Sequence, residues 1–114
     1  MGSTLDEERL AAVRRYIEKR EDDNTTADEM VAFFEPTAVV HENGIGYHER
    51  YKGHAEIKRR FSTPPDMKAT CKIVPVLVEP GGDICATAWA GSMSRTATFS
   101  FQRGTALIRL LIIT

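Results

Sequence analysis

The sequence has no excess of charge of either sign and no long hydrophobic run. Its 15 basic and 16 acidic residues leave a formal net charge of −1, so no overall field attracts nucleic acid or an anionic membrane surface. The longest apolar stretch, residues 107–113, contains Arg109 and is far shorter than the roughly 20 residues of a transmembrane helix. The first residues lack the basic and then apolar order of a secretory signal. These absences predict a cytoplasmic protein that binds neither nucleic acid nor membrane.

Cysteine is scarce, and no cluster of potential metal ligands accompanies it. Cys71 and Cys85 are the two cysteines, and they lack the CxxC spacing of zinc and redox sites. They can form a disulfide only if two neighbouring strands align them. No His-x-His or HExxH motif is present. The sequence therefore predicts reduced thiols packed as small apolar residues, with no metal and no cofactor.

Within one domain spanning residues 1–114, two amphipathic helices are predicted before the first strand. Thr-x-x-Glu capping boxes begin at Thr4 and at Thr26. Arg9 and Arg20 fall within the buried arc of the first helix. Their charged groups can reach water only if the aliphatic stems extend to the ends of the arc. The apolar residues of that arc are Leu5, Leu10, Ala12, Val13, Tyr16 and Ile17. The short second helix carries Met30, Val31, Phe33 and Phe34.

A hairpin should follow the second helix. Pro36 is predicted to end that helix, because its ring excludes the preceding residue from the α region. Residues 37–42 alternate as a half-buried strand does. Asn43-Gly44 favours a type I′ turn, in which both central residues have positive φ, and predicts a returning strand over residues 45–51.

The remainder of the chain predicts one helix and a β meander. Residues 53–61 carry apolar side chains at helical spacing and are followed by Ser-Thr-Pro-Pro. Pro75 makes its strand an edge strand or a bulged one. Four β-rich segments separated by turn residues are predicted at 67–78, 84–91, 95–102 and 105–113. The order αα-ββ-α-ββββ is that of an α+β domain, with helices packed on one face of a curved, mostly antiparallel sheet.

This order and several sequence strings resemble a known family. FFEPTAVVHENG, YKG followed by HAEIKRRF, and the final GTALIRLLIIT resemble the SnoaL-like and ketosteroid-isomerase-like branch of the NTF2-like superfamily. The resemblance covers essentially the whole chain. It implies a cone in which the curved sheet wraps around three helices from the N-terminal half and encloses a pocket. This fold hosts isomerases, dehydratases, cyclases, epoxide hydrolases and proteins that only bind.

The resemblance also implies two catalytic residues. Tyr16 matches the family tyrosine that hydrogen-bonds the developing oxyanion, and Glu42 matches the carboxylate base. A phenol can hold a substrate oxygen, and a carboxylate sheltered from water can carry a proton. Ala97 stands where ketosteroid isomerases have a protonated aspartate, so steroid isomerisation itself is not implied. The other ligand-binding positions are predicted to be Val13, Ile17, Phe34, His41, Phe61, Trp89, Ala97 and Phe99.

Simpler structural roles are open to the same residues. Tyr16 can be a core aromatic bonded to a backbone carbonyl, and Glu42 can be a hairpin residue facing water. Because side chains alternate along a strand, only one of His41 and Glu42 enters the pocket unless a bulge intervenes, and Glu42 is the one predicted. His48 and His54 are expected near the mouth of the pocket, at the surface.

Two functions of different classes fit these residues. The first is a small, cofactor-independent isomerase or lyase that moves a proton on a hydrophobic, carbonyl-bearing molecule. The second is a non-catalytic module of the same fold for small-ligand binding or dimerisation. Epoxide hydration is a weaker idea, because the Asp-Arg-Asp arrangement it needs cannot be placed. A homodimer is expected, since residues 107–113 are apolar on both faces and Thr96, Thr98 and Ser100 share one polar face.

Overall fold

In the part of the chain that the structure describes, three helices and six strands follow one another in the predicted order. The structure, a computed structural model, describes residues 4–22, 24–44, 46–62, 70–72, 83–90 and 93–114. The helices and strands are α1 (Thr4–Glu21), α2 (Ala27–Val31), β1 (Phe34–Gly44), β2 (Tyr47–Lys52), α3 (Gly53–Phe61), β3 (Thr70–Lys72), β4 (Ile84–Ala90), β5 (Met93–Phe101) and β6 (Ile108–Ile113). The α+β class is therefore confirmed. Within these ranges, no helix has the length and apolar character needed to cross a bilayer.

The strands form one mixed sheet in the order β2-β1-β6-β5-β4-β3. β1 and β6 run parallel, and every other neighbouring pair is antiparallel. β6, the last of the described strands, therefore joins the β1–β2 hairpin to the meander of β3, β4 and β5. The predicted arrangement of a mostly antiparallel sheet with three helices from the N-terminal half is confirmed. β3 lies at the sheet edge, as predicted, while Pro75 falls outside the described residues.

Pro36 lies inside a strand rather than at a helix end. The prediction that it stops the second helix is wrong, because α2 already ends at Val31 and β1 begins at Phe34. The pairing of β1 with β6 changes register between Phe34 and Val39. Since proline has no N–H to donate to a ladder, a break in the pairing accommodates it there.

The β1–β2 hairpin is confirmed, but its turn lies two residues later than predicted. Asn43 pairs with His48, and Gly44 pairs with Tyr47, so the connecting residues are 45–46. The positive φ that such a turn requires is found at Gly46, with φ of 82°. The Asn-Gly pair is instead part of β1, because a second glycine follows closely enough to take the turn position.

Arg9 connects α1 to the end of the sheet. Its side chain is buried, and its guanidinium carbon lies 5.1 Å from the centroid of the Phe101 ring. Nε donates to the carbonyl oxygen of Thr105 at 2.8 Å, and Nη2 donates to that of Gln102 at 3.3 Å. The charge of Arg9 lies on the buried side of α1 and is therefore stabilised by these two carbonyl oxygens rather than by solvent.

The hydrophobic core lies between the helices and the inner face of the sheet. α1 contributes Val13 and Tyr16, α3 contributes Ile57 and Phe61, and the strands supply most of the remainder. The fully buried large side chains are Val13, Met30, Phe34, Val40, Ile57, Ile84, Phe99, Ile108 and Leu111. Several of the residues predicted to line a pocket are therefore core residues.

The two cysteines do not face each other across the sheet. Cys71 of β3 pairs with Ala88 of β4, and Cys85 of β4 pairs with Thr98 of β5. Cys85 is a half-buried free thiol with its Sγ 3.5 Å from Thr98 Oγ1. The register therefore separates the two positions instead of aligning them for a disulfide.

Candidate functional site

Glu42 lies on the inner face of β1. The alternating residues Ala38, Val40 and Glu42 are buried, and the Glu42 side chain is buried despite its charge. This is the face predicted for Glu42, and alternation places His41 on the opposite one. A carboxylate in this position lies against the core and requires a partner.

Arg60 of α3 supplies that partner. Its Nε donates a hydrogen bond to Glu42 Oε1 at 2.8 Å, and the two side chains are 21% and 10% exposed. Burial alone would lower the pKa of Arg60, but the hydrogen bond and charge of Glu42, aided by Tyr51 and Tyr16, raise it. The guanidinium is therefore charged throughout the range in which proteins are folded. In the described part of the chain, no hydrogen bond is made to Glu42 Oε2.

Tyr16 lies in a cage of phenylalanine rings and is 6% exposed. Its ring meets four others edge-on, with centroid distances of 5.8 Å to Phe33, 6.0 Å to Phe34, 6.1 Å to Phe61 and 5.4 Å to Phe99. Edge-to-face contacts of this kind fix the ring plane and so the direction of the phenol oxygen. Tyr16 acts electrostatically to raise the pKa of both Arg20 and Arg60, so its phenol lies in the same region as the Glu42–Arg60 pair.

Two more polar side chains share this neighbourhood. The guanidinium carbon of Arg20, in the last turn of α1, lies 4.9 Å from the centroid of the Phe61 ring. Burial lowers the pKa of Arg20, and Tyr16, Arg60 and Glu42 act on it as nearby charges. Tyr51 pairs with Val40 across the hairpin, which puts both on one face of the sheet. Burial and then the charge of Glu42 raise the pKa of Tyr51, so its phenol stays protonated.

Most of the remaining predicted site residues lie in the hydrophobic core or pack against it. Val13, Phe34, Phe61 and Phe99 are buried in the core, and Ile17 and Ala97 pack against it while partly buried. The backbone of Ala97 pairs with Ala86 and Ile113, so an apolar residue with apolar neighbours stands at the position that the sequence resemblance matched to the isomerase acid. Trp89 pairs with Thr70 and Ser94 through its backbone, and its side chain lies outside the described part of the structure.

Within the described residues, the rings of the three histidines have polar partners other than Glu42. The rings of His41 and His48 stack on the outer side of the hairpin, with 5.3 Å between centroids and 3.0 Å between His41 Nδ1 and His48 Nε2. Strand alternation turns the His41 side chain outward. Its orientation therefore does not support the prediction that it binds the ligand. His54, expected at the surface, is half-buried, and its Nε2 is 2.9 Å from the carbonyl oxygen of Phe34.

A groove of about 720 Å³ lies elsewhere, between α1, α2 and the connection from β5 to β6. Its lining includes Ala12, Arg15, Phe33 and Leu107 but neither Tyr16 nor Glu42. Four charged residues also line it, namely Glu8, Arg15, Lys19 and Glu29. A shared cavity lined by Tyr16 and Glu42 remains a prediction.

Arg60, Arg20 and Tyr51 were not predicted as site residues, although the sequence contains signals for each. Arg60 is three residues after the buried Ile57, a spacing that places it beside the buried stripe of α3. Arg20 already points into the buried arc of α1. Tyr51 could be assigned to the inner face only with the correct hairpin register, because a shift of one residue reverses every side chain.

The ion pair should contribute measurably to stability. Arg60→Met leaves the Glu42 carboxylate without its partner, whereas Arg60→Met combined with Glu42→Gln leaves no buried charge from the pair. A double-mutant cycle measured by urea unfolding should give a coupling energy of about 1–3 kcal/mol. Additive effects of the two single variants would contradict the 2.8 Å hydrogen bond as a stabilising contact.

Comparison with known proteins shows a likeness in structure rather than in sequence. Neither protein-family models nor curated proteins give a match. The epoxide hydrolase/cyclase-like enzyme SalBIII superposes with a TM-score of 0.72 at 14% identity, covering 94% of this chain and 89% of its own. A putative polyketide cyclase from Sinorhizobium meliloti gives a TM-score of 0.68 at 22% identity, with coverages of 91% and 94%. An NTF2-like protein from Cytophaga hutchinsonii gives 0.62 at 14% identity, with coverages of 93% and 88%. The chain therefore has the NTF2-like fold that its sequence predicts.

Proposed function

We propose that the protein is a cofactor-independent isomerase or lyase that transfers a proton on a hydrophobic, carbonyl-bearing small molecule. The observation that carries the proposal is the buried Glu42 carboxylate, whose Oε1 accepts a hydrogen bond from Arg60; Tyr16, caged by phenylalanine rings, acts electrostatically on the same arginine. A base, an oxygen-binding phenol and a positive charge are thus close together on a fold shared with cyclases and other enzymes. The surrounding aromatic rings suit an apolar substrate.

The proposed reaction begins with removal of a proton from the carbon next to a carbonyl group. Glu42 Oε2 accepts that proton, and the C–H electron pair moves to form a carbon–carbon double bond and an enolate oxygen. The Tyr16 phenol donates a hydrogen bond to this oxygen, and the Arg60 charge stabilises it. In a β,γ-unsaturated carbonyl compound the enolate extends over the second double bond, and return of the proton from Glu42 to the γ-carbon completes an isomerisation. Where the β-carbon carries a leaving group instead, the enolate re-forms the carbonyl and an α,β double bond as that group departs with its bonding electrons and takes the proton from Glu42, which completes an elimination.

A binding module is the alternative, and Ala97 is the observation that favours it. Ketosteroid isomerases place a second acid at the oxyanion, whereas this chain has a methyl group between Ala86 and Ile113. With a single phenol at that oxygen, the cluster can hold a carbonyl compound without activating it. This alternative predicts ligand affinity with no associated proton transfer.

Deuterium uptake from heavy water distinguishes the two functions. Hydrophobic ketones, aldehydes and oxo acids would be incubated with the protein in D₂O, and exchange at the α-carbon followed by NMR. We expect at least one compound that binds to exchange faster than in buffer alone, because proton removal is the first step of either reaction. Binding without exchange across the panel would support the module and remove the enzymatic proposal.

We also propose that the protein is a homodimer formed through the outer face of the sheet. Thr96 and Thr98 of β5 and Leu110 and Ile112 of β6 are only partly buried within one chain, and a second sheet would cover them. Sedimentation at micromolar concentration should therefore show twice the chain mass of 12.7 kDa, and Leu110→Lys should shift it toward the monomer. A 12.7 kDa species alone in the wild type would contradict the dimer.

A further inference from the structure

His41 and His48 form a pair on the outer side of the β1–β2 hairpin that the proposed reaction does not use. His41 lies opposite Arg50, and His48 lies opposite Asn43, so the two histidines are diagonal neighbours on one face of the hairpin, within reach of long side chains. His41 Nδ1 is 3.0 Å from His48 Nε2. His48 is exposed and belongs to β2, an edge strand of the sheet. Two imidazole nitrogens are therefore held close together at a place that solvent can reach.

The distance between these nitrogens matches two neighbouring positions around a metal ion. Imidazole nitrogens bind divalent transition metals at about 2.0–2.1 Å. Two such bonds at a right angle place the nitrogens about 2.9 Å apart, whereas two bonds at the tetrahedral angle place them about 3.4 Å apart. The observed 3.0 Å is closer to the right angle of a square-planar or octahedral site.

Both rings can present a lone pair to the same ion. In the metal-free pair, one of the two nitrogens donates a hydrogen bond to the other. Binding an ion requires each imidazole to carry its proton on the far nitrogen, which is Nε2 of His41 and Nδ1 of His48. Each ring must also turn about its Cβ–Cγ bond, a torsion with broad energy minima. These changes involve the two side chains and leave the hairpin backbone in place.

The available ligands restrict the kind of ion. Mg²⁺ and Ca²⁺ bind oxygen rather than imidazole, and Cu(I) favours sulfur. Among the described residues, no group of three or more histidine, cysteine, aspartate and glutamate side chains could hold a metal, so water would fill the positions that the pair leaves open. Cu(II) and Ni(II) favour tetragonal sites of nitrogen and oxygen ligands. They are therefore the ions that the pair suits best.

We propose that His41 Nδ1 and His48 Nε2 bind one Cu(II) or Ni(II) ion per chain, which links β1 to β2. Strand alternation puts His41 and Glu42 on opposite faces of β1, so the proposed reaction remains independent of the metal. The residues proposed to form the dimer lie on β5 and β6, and β2 lies at the edge of the sheet beyond them. The site departs from the sequence-based expectation of no metal, because its two ligands are seven positions apart and on different strands.

Calorimetric titration with Cu(II), Ni(II) and Zn(II) tests the site directly. The protein carries no polyhistidine tag, and the buffer does not bind metals. Wild type should bind Ni(II) more tightly than Zn(II), because the nitrogen distance suits a right angle better than a tetrahedral one. His41→Asn and His48→Asn should each weaken binding by about 100-fold, because the second ligand of a chelate binds at a high effective concentration.

Two control variants leave the pair intact. His54→Asn removes an imidazole that lies against the carbonyl oxygen of Phe34 instead, and it should bind the ion as wild type does. Arg50→Gln removes an exposed positive charge opposite His41. That charge repels a divalent cation, although water and salt weaken the repulsion. The Arg50 variant should therefore bind at least as tightly as wild type.

Two further measurements locate the ion and detect misfolded variants. In wild type, substoichiometric Cu(II) should broaden the NMR signals of His41 and His48 before those of His54, a result that does not depend on any variant. The urea midpoint should rise with Ni(II) concentration in wild type but not in His48→Asn, and circular dichroism shows whether each variant is folded.

Four results would overturn the inference. They are no binding of Ni(II) or Cu(II) by wild type, tighter binding of Zn(II) than of Ni(II), binding that survives either His41→Asn or His48→Asn, and loss of binding in a folded His54→Asn or Arg50→Gln protein.

Discussion

Glutamine in place of Glu42 is expected to lower the rate of deuterium exchange by about 100-fold or more, as is typical for loss of a positioned general base. The amide keeps the shape of the side chain and can still accept the Arg60 hydrogen bond through its oxygen, but it cannot take up a proton at neutral pH. Ligand affinity should change little, because the substitution removes proton transfer rather than the walls of the site. The comparison requires the exchange rate and the Kd of the same compound in both proteins.

Glu49→Gln is the matched control for this experiment. Glu49 lies directly opposite Glu42 in the β1–β2 register but is exposed, so its loss removes the same charge from the hairpin without touching the buried pair. We expect exchange to continue at the wild-type rate. Exchange that persists in Glu42→Gln would exclude Glu42 as the base.

Phe99→Ala is expected to destabilise the protein by about 3–5 kcal/mol, the range for truncation of a buried aromatic residue. Phe99 is 0% exposed, and its ring centroid is 5.4 Å from that of Tyr16. Truncation leaves a cavity between α1 and β5 and removes one of the four rings around the phenol. Domains of this size have a free energy of unfolding of about 5–15 kcal/mol, so the loss is a large fraction of the total.

Urea unfolding followed by circular dichroism measures this difference. Leu107→Ala provides the comparison, because Leu107 is 37% exposed and its truncation should cost less than about 1 kcal/mol. Phe99→Leu should fall between the two, since it retains part of the buried volume. A loss below about 1 kcal/mol for Phe99→Ala would show that the aromatic cage is not part of the cooperative core.

Local sequence signals predicted the element order because they act over a few residues. The Thr26 capping box begins α2 where expected, and its hydroxyl accepts a hydrogen bond from the Glu29 amide at 3.2 Å. The spacing of Ile57 and Phe61 correctly marked the buried stripe of α3. Strand alternation likewise placed Glu42 inward. Each of these depends on neighbours in sequence, which a single chain displays directly.

Contacts between distant segments were not predictable in the same way. The Glu42–Arg60 hydrogen bond joins residues 18 positions apart, and its formation depends on how α3 crosses β1. The turn position depended on whether Gly44 or Gly46 took the positive φ, which both residues can adopt equally well. Arg9 is accommodated by carbonyls 96 and 93 residues away. Sequence reasoning could mark these side chains as unusual but could not supply their partners.

The position of β6 has a consequence for how the chain folds during synthesis. Among the described strands β6 is made last, yet it lies between β1 and β5 and is their shared neighbour in the sheet. Until residues 108–113 leave the ribosome, the β1–β2 hairpin and the meander present unpaired edges to the surrounding solution. Such edges are prone to association with other chains. The long separation between β1 and β6 also makes their pairing slow compared with closure of the local hairpins. Synthesis of residues 108–113 is therefore the step that lets the two parts of the sheet join.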